Sequence, residues 1–163
     1  MISHQVTIFL TWLHLLAAVL WIGGMLFLSL TLVPILKGEP VAAQRGALLR
    51  KIAKRFRMLV WVSIAVLVTT GSWLLPERVN SLHEPWDWPG ALRSKLGLVA
   101  ILITLTAVHD FWLGPTVGRL LREPEAARTA GEHRLILLSP WVARLSLLLA
   151  VGVLLAAVAL VRT

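Results

Sequence analysis

Apolar positions gather into four long runs separated by polar connections. The runs extend from about Val6 to Leu36, Leu59 to Leu75, Ala91 to Trp112 and Leu135 to Val161. Each is long enough to cross about 30 Å of hydrocarbon as a helix of about 20 residues. Between the first two lies "GEPVAAQRGALLRKIAKRFRML", where Leu48, Leu49, Ile52 and Phe56 recur at helical spacing while Arg45, Arg50, Lys51, Lys54, Arg55 and Arg57 fill other positions. That pattern predicts a basic amphipathic helix, lying on the membrane surface or continuing into the second span. "PERVNSLHEPWDWPG" reads as a proline-rich loop, and "GPTVGRLLREPEAARTAGEHR" as a polar connection with a short helical stretch. There is no internal repeat and no low-complexity tract. The expected fold is all-α: an integral membrane four-helix bundle, forming one domain over 1–163.

Composition supports lipid as the solvent. The chain has 163 residues, 58% of them hydrophobic, with a mean hydropathy of +0.81, well above the apolar share of soluble domains. There is no cysteine, which excludes a disulfide framework, a thiolate metal site and a thiol nucleophile. Haem or copper held by His, Met or Lys stays open. The first run has no basic stretch before it and no A-x-A-like site beside it, so it is expected to be retained.

Charge then sets an expected orientation. The net charge is +8. Lys37, Arg45, Arg50, Lys51, Lys54, Arg55 and Arg57 fall in the first connection and Arg119, Arg122, Arg128 and Arg134 in the third, whereas the second holds Arg78. Short basic loops stay cytoplasmic, so both termini are expected outside. Trp12, Trp73, Trp86 and Trp88 would form an outer belt, and Trp61, Trp112 and Trp141 an inner one. In this setting the positive charge meets lipid headgroups, at roughly 1 kcal/mol per basic residue, and not nucleic acid.

Four ionisable residues fall inside the runs: His14, Lys95, His109 and Arg144. Such groups are costly in a bilayer and ordinarily face a bundle interior or cavity. At about 1.5 Å per residue, His14 and Lys95 belong to an outer layer and His109 and Arg144 to an inner one. A single haem spanning His14 and His109 is therefore disfavoured. The outer layer suits a haem with His14 as axial ligand and Lys95 or His83 as the other, or as a propionate partner. The inner layer would set His109 with Met58 or Met25, and Arg144 beside an anionic group. Trp21 and Met25 share a helix face with His14, and Gly23 and Gly24 would admit a macrocycle or another helix.

Each feature also has a packing alternative. His14 is equally suited to hydrogen-bond a neighbouring helix, and Lys95, Arg93 and Arg144 to snorkel. His109 is equally suited to an interfacial ion pair with Asp110 and Arg119. Trp21, Met25 and Met58 also fit as core filling, and His4, His83 and His133 as solvated loop residues. His4 and His83 share the outer side, where a copper ion would be captured.

Together, "WLHLLAAVLWIGGMLFLSLTLVP", a basic helix, a span ending in "TTG", "LRSKLGLVAILITLTAVHDF" and "VARLSLLLAVGVLLAAVAL" resemble the copper resistance protein D (CopD) domain family. The layout is also similar to the bacterial protoporphyrinogen oxidase family of membrane proteins, which bind b-type haem. The resemblance implies haem b at His14, then Lys95, with His109 and Arg144 matching further polar positions. A bacterial cytoplasmic membrane location is expected, with the termini on the periplasmic side as the charge distribution indicates. From the oxidase pattern the chain departs after Phe27 and at Ser146. Two functions follow as expectations: a membrane cytochrome passing electrons, alone or with partner subunits or a quinone, and a copper-homeostasis protein binding metal at His14, His83 and His109. A structural subunit and a homo-oligomer stay open. No His-Glu-x-x-His, phosphate loop or nucleophile elbow makes a case for a stand-alone enzyme.

Overall fold

The computed structural model describes residues 3–38, 42–79 and 81–161. These residues are helical with short connections, and no strand occurs among the described residues. Four helices are long and apolar enough to cross a membrane. We call them α1 (His4–Ile35), α2 (Ala42–Leu74), α3 (Gly90–Leu120) and α4 (Ala130–Val161). Helices satisfy every internal backbone group within the segment, which lipid cannot do for them. Large apolar side chains point outward along every one of them, including Phe9, Leu30, Val62, Ile101, Leu148 and Leu155. A surface this apolar is stable only against hydrocarbon, and the chain is a multi-pass membrane protein in contact with lipid.

The basic stretch does not form a separate helix. It is the first half of α2, whose 33 residues make a rod about 50 Å long. Hydrocarbon takes up about 30 Å of that length. The excess falls at the basic end, because residues 59–75 carry no charge.

The chain divides into two compact units, Met1–Trp88 and Pro89–Thr163. In the first, α1 lies antiparallel to α2 in a register set by side chains. The Thr7 hydroxyl donates to Glu77 Oε1 at 2.9 Å, and His14 Nδ1 lies 2.7 Å from Thr70 Oγ1. Seven positions along α1 thus match seven positions back along α2. By the same step Trp21 falls level with Ser63, and each of the two is 2% exposed. Farther on, the Phe56 ring covers Gly24 so closely that a Cβ there would meet it. Helix α1 widens into π-helical turns at Val19–Gly23 and Leu28–Leu32, in which backbone hydrogen bonds span five residues instead of four.

In the second unit α3 packs on α4, with Leu98 Cδ1 3.7 Å from where a Cβ on Gly152 would stand. Helix α3 widens at Val108–Leu113, just before Pro115, which has no N–H to give to the carbonyl of Phe111. Beyond Leu120 the chain reverses through a loop tied by Arg128. Its Nε donates to Leu120 O at 3.0 Å, a carbonyl that also accepts from Glu123 N at 3.1 Å, and its guanidinium donates to Glu123 O at 2.7 Å, tying the loop to the helix end. Thr129 and Glu132 then form a reciprocal capping box: Thr129 N donates to Glu132 Oε2 at 2.7 Å and Glu132 N to Thr129 Oγ1 at 3.3 Å. Thr129→Ala is expected to lower stability by about 1 kcal/mol, measured as the denaturation midpoint in detergent.

Hydroxyls within the helices are satisfied locally. Thr70, Thr106 and Ser146 donate to the carbonyls of Val66, Leu102 and Val142, each four residues back. This i−4 bonding lets polar side chains sit in an apolar helix without an orphan donor.

Candidate functional site

Of the ionisable residues in the spans, His14 has the most defined seat in the first unit. Its ring rests on the Thr70-Gly71 step of α2, with Cε1 3.4 Å from where a Cβ on Gly71 would project. Glycine leaves the space the imidazole fills. Thr70 is 4% exposed, and its hydroxyl lies 2.6 Å from Val66 O as well as 2.7 Å from His14 Nδ1. A hydroxyl has one proton to donate. At 2.6 Å from a carbonyl oxygen that proton must lie on the Val66 bond, since two bare oxygens would repel at this distance. The Thr70 oxygen therefore accepts, and His14 Nδ1–H donates. In the neutral ring the lone pair is then on Nε2, the arrangement that orients metal-ligating histidines.

Trp21, two turns along the same face of α1, is buried in the Val19–Gly23 π turn, and among the described residues its indole N–H has no hydrogen-bond partner. Such an orphan donor costs about 1–3 kcal/mol. Trp21→Phe removes the unmet donor and keeps a ring in place, so its thermal midpoint is expected to stay near wild type. Trp21→Ala leaves a cavity and is expected to cost about 3 kcal/mol. Met25 is half-buried on α1, and Met58 is 70% exposed on α2. The Gly23-Gly24 pair proves unequal: among the described residues nothing lies within 4 Å of a Cβ on Gly23, while Phe56 occupies the notch at Gly24.

The other candidates belong to the second unit. Lys95 is half-buried on α3, fourteen positions before His109, or about 21 Å along the axis. His109 lies in the π-helical turn with Nδ1 3.1 Å from Oδ1 of Asp110, the side chains being 37% and 16% exposed. The carboxylate orients this ring as Thr70 orients His14. On α4 the Arg144 guanidinium stands 4.8 Å over the ring of Trp141, both side chains being exposed. That contact suits an arginine drawn back along the helix toward an interface. His4, His83 and His133 are exposed. Among the described residues no three His, Cys, Asp or Glu side chains converge to hold a metal ion.

Thus the structure joins His14 to Thr70 and Gly71, His109 to Asp110, and Arg144 to Trp141. Thr70 and Gly71 escape notice in the sequence because a helical threonine and glycine resemble packing residues. The "TTG" at the end of the second span was the one signal that pointed to them.

Four spanning helices with oriented intramembrane histidines define a polytopic helical membrane protein. The family model for copper resistance protein D (CopD) matches residues 50–160, and the chain belongs to that family. The match begins within α2, so Thr70, Gly71, Lys95, His109 and Arg144 fall inside it and His14 outside. An uncharacterized protein of Aquifex aeolicus (strain VF5) is 32% identical over 103 residues, which span 63% of this chain and 66% of that relative. No solved structure matches the chain.

Proposed function

We propose that this CopD-family membrane protein is a b-type cytochrome in which Nε2 of His14 would hold the haem iron, serving electron transfer alone or within a larger membrane complex. The observation that carries the reading is the Thr70–His14 hydrogen bond. It holds the ring in one tautomer, restrains its rotation and increases the donor strength of Nε2. Haem, when bound, supplies one-electron redox chemistry. The residues of this chain orient the ligand nitrogen, through Thr70, and leave room for the ring, through Gly71.

The family's description favours a second reading, copper homeostasis. Copper(I) selects soft thiolate and thioether ligands, and this chain offers no cysteine and three methionines. Haem ligation asks for a histidine that is already oriented, and we favour it for that reason.

A reduced-minus-oxidised visible spectrum of the detergent-purified protein, with iron and copper quantified on the same sample, tests the choice. Sharp b-type bands with about one iron per chain are expected. A colourless protein carrying copper would establish the second reading instead.

A further inference from the structure

We propose that the outer face of the first half of α2, carrying Lys51, Lys54 and Arg55, binds the phosphate headgroups of anionic phospholipids in the bilayer that holds the protein. The three residues are exposed and, at spacings of three and four, share one side of the helix. Met58, next along that side, is 70% exposed. The flank bearing Ile52 and Phe56 is half-buried, with the Phe56 ring on Gly24 of α1. The contact with α1 therefore fixes which side of α2 turns outward.

Two features point to a lipid and not to a solvated charge run. The first is depth. Helix α2 continues unbroken from the basic stretch into the uncharged stretch that begins at Leu59. Residue 55 consequently lies about 6 Å beyond the start of the apolar stretch, within the headgroup layer, and residue 51 about 12 Å beyond it, from where a lysine stem reaches back to that layer. The second is uncompensated charge. Residues 42–57 hold six basic and no acidic side chains, and among the described residues Lys51, Lys54 and Arg55 form no ion pair. A rigid row of cations at headgroup depth complements phosphate, and the long stems let each charge reach the polar layer while their methylenes stay on apolar surface.

The test uses the full chain in neutral detergent, titrated with phosphatidylglycerol or phosphatidylcholine, with bound lipids counted by native mass spectrometry. Wild type is expected to retain phosphatidylglycerol in preference, and to lose that preference as salt rises. The triple variant Lys51→Gln/Lys54→Gln/Arg55→Gln is expected to bind phosphatidylglycerol about a hundredfold more weakly. Arg122→Gln, a change at an exposed arginine elsewhere, should leave the preference intact. Helical circular dichroism checks that each variant is folded. Unchanged phosphatidylglycerol retention in the folded triple variant would overturn the proposal. So would equal competition by free glycerol phosphate, which would make the face a site for a soluble phosphate and not for a lipid.

Discussion

His14→Ala is expected to abolish the b-type absorbance of the purified protein while leaving its helical content and elution from a sizing column unchanged. The ring is an intramembrane group whose Nδ1 lies 2.7 Å from Thr70 Oγ1 on α2, a hydrogen bond worth about 1 kcal/mol to the fold. Losing it does not unfold a protein whose helices are long and apolar. Thr70→Val should have a graded effect, weakening haem retention by about 10–100-fold as loss of the group that hydrogen-bonds a ligating histidine does. The haem that remains should show a raised midpoint potential, since an imidazole that no longer donates from Nδ1 is the weaker ligand and favours ferric iron less. Thr70→Ser restores the acceptor oxygen and should return both retention and potential to wild-type values. A purely structural role for Thr70 predicts changed stability with no shift in potential. Full haem occupancy in His14→Ala would remove His14 as the ligand.

Adjacent glycines in α1 should respond in opposite ways. Gly24→Ala sets a methyl group against the Phe56 ring, whereas a Cβ at Gly23 meets nothing within 4 Å among the described residues. Overpacking of this kind costs about 1–3 kcal/mol, while replacing a helical glycine in open space gains up to about 1 kcal/mol of helix propensity. Thermal unfolding in one detergent should accordingly rank Gly23→Ala at or above wild type and Gly24→Ala below it. Adding Phe56→Ala to Gly24→Ala tests the origin of the loss, because removing the ring should remove the penalty of the new methyl group. If the two changes are additive, the loss arises elsewhere.

These outcomes separate what a linear pattern carries from what it does not. The four spans were legible in the sequence because the requirement is one-dimensional: about 20 apolar residues must follow one another for any helix to cross hydrocarbon. Their limits were less so. The third helix continues to Leu120 and the fourth begins at Ala130, beyond the expected 91–112 and 135–161, because capping and loop ties such as Arg128 on Leu120 extend helices past the apolar stretch. The basic segment was recognisable as an amphipathic helix, and its continuity with span two follows from backbone geometry that hydropathy does not register.

Site residues divide along the same line. His14, Lys95, His109 and Arg144 stood out because a charged or titratable group in an apolar run is conspicuous in itself. Their partners did not, except Asp110 beside His109. Thr70 lies 56 residues from His14, and Phe56 is as far from Gly24 in the chain as any ordinary core pair. Such pairings depend on helix register, in which a shift of one residue rotates a side chain by about 100° around the axis. Sequence by itself thus determined a membrane protein of four helices with histidines inside them. Tertiary structure alone decided which hydroxyl orients His14, which glycine is filled and which face of α2 turns outward, because each of these is a contact between segments and not a property of either one.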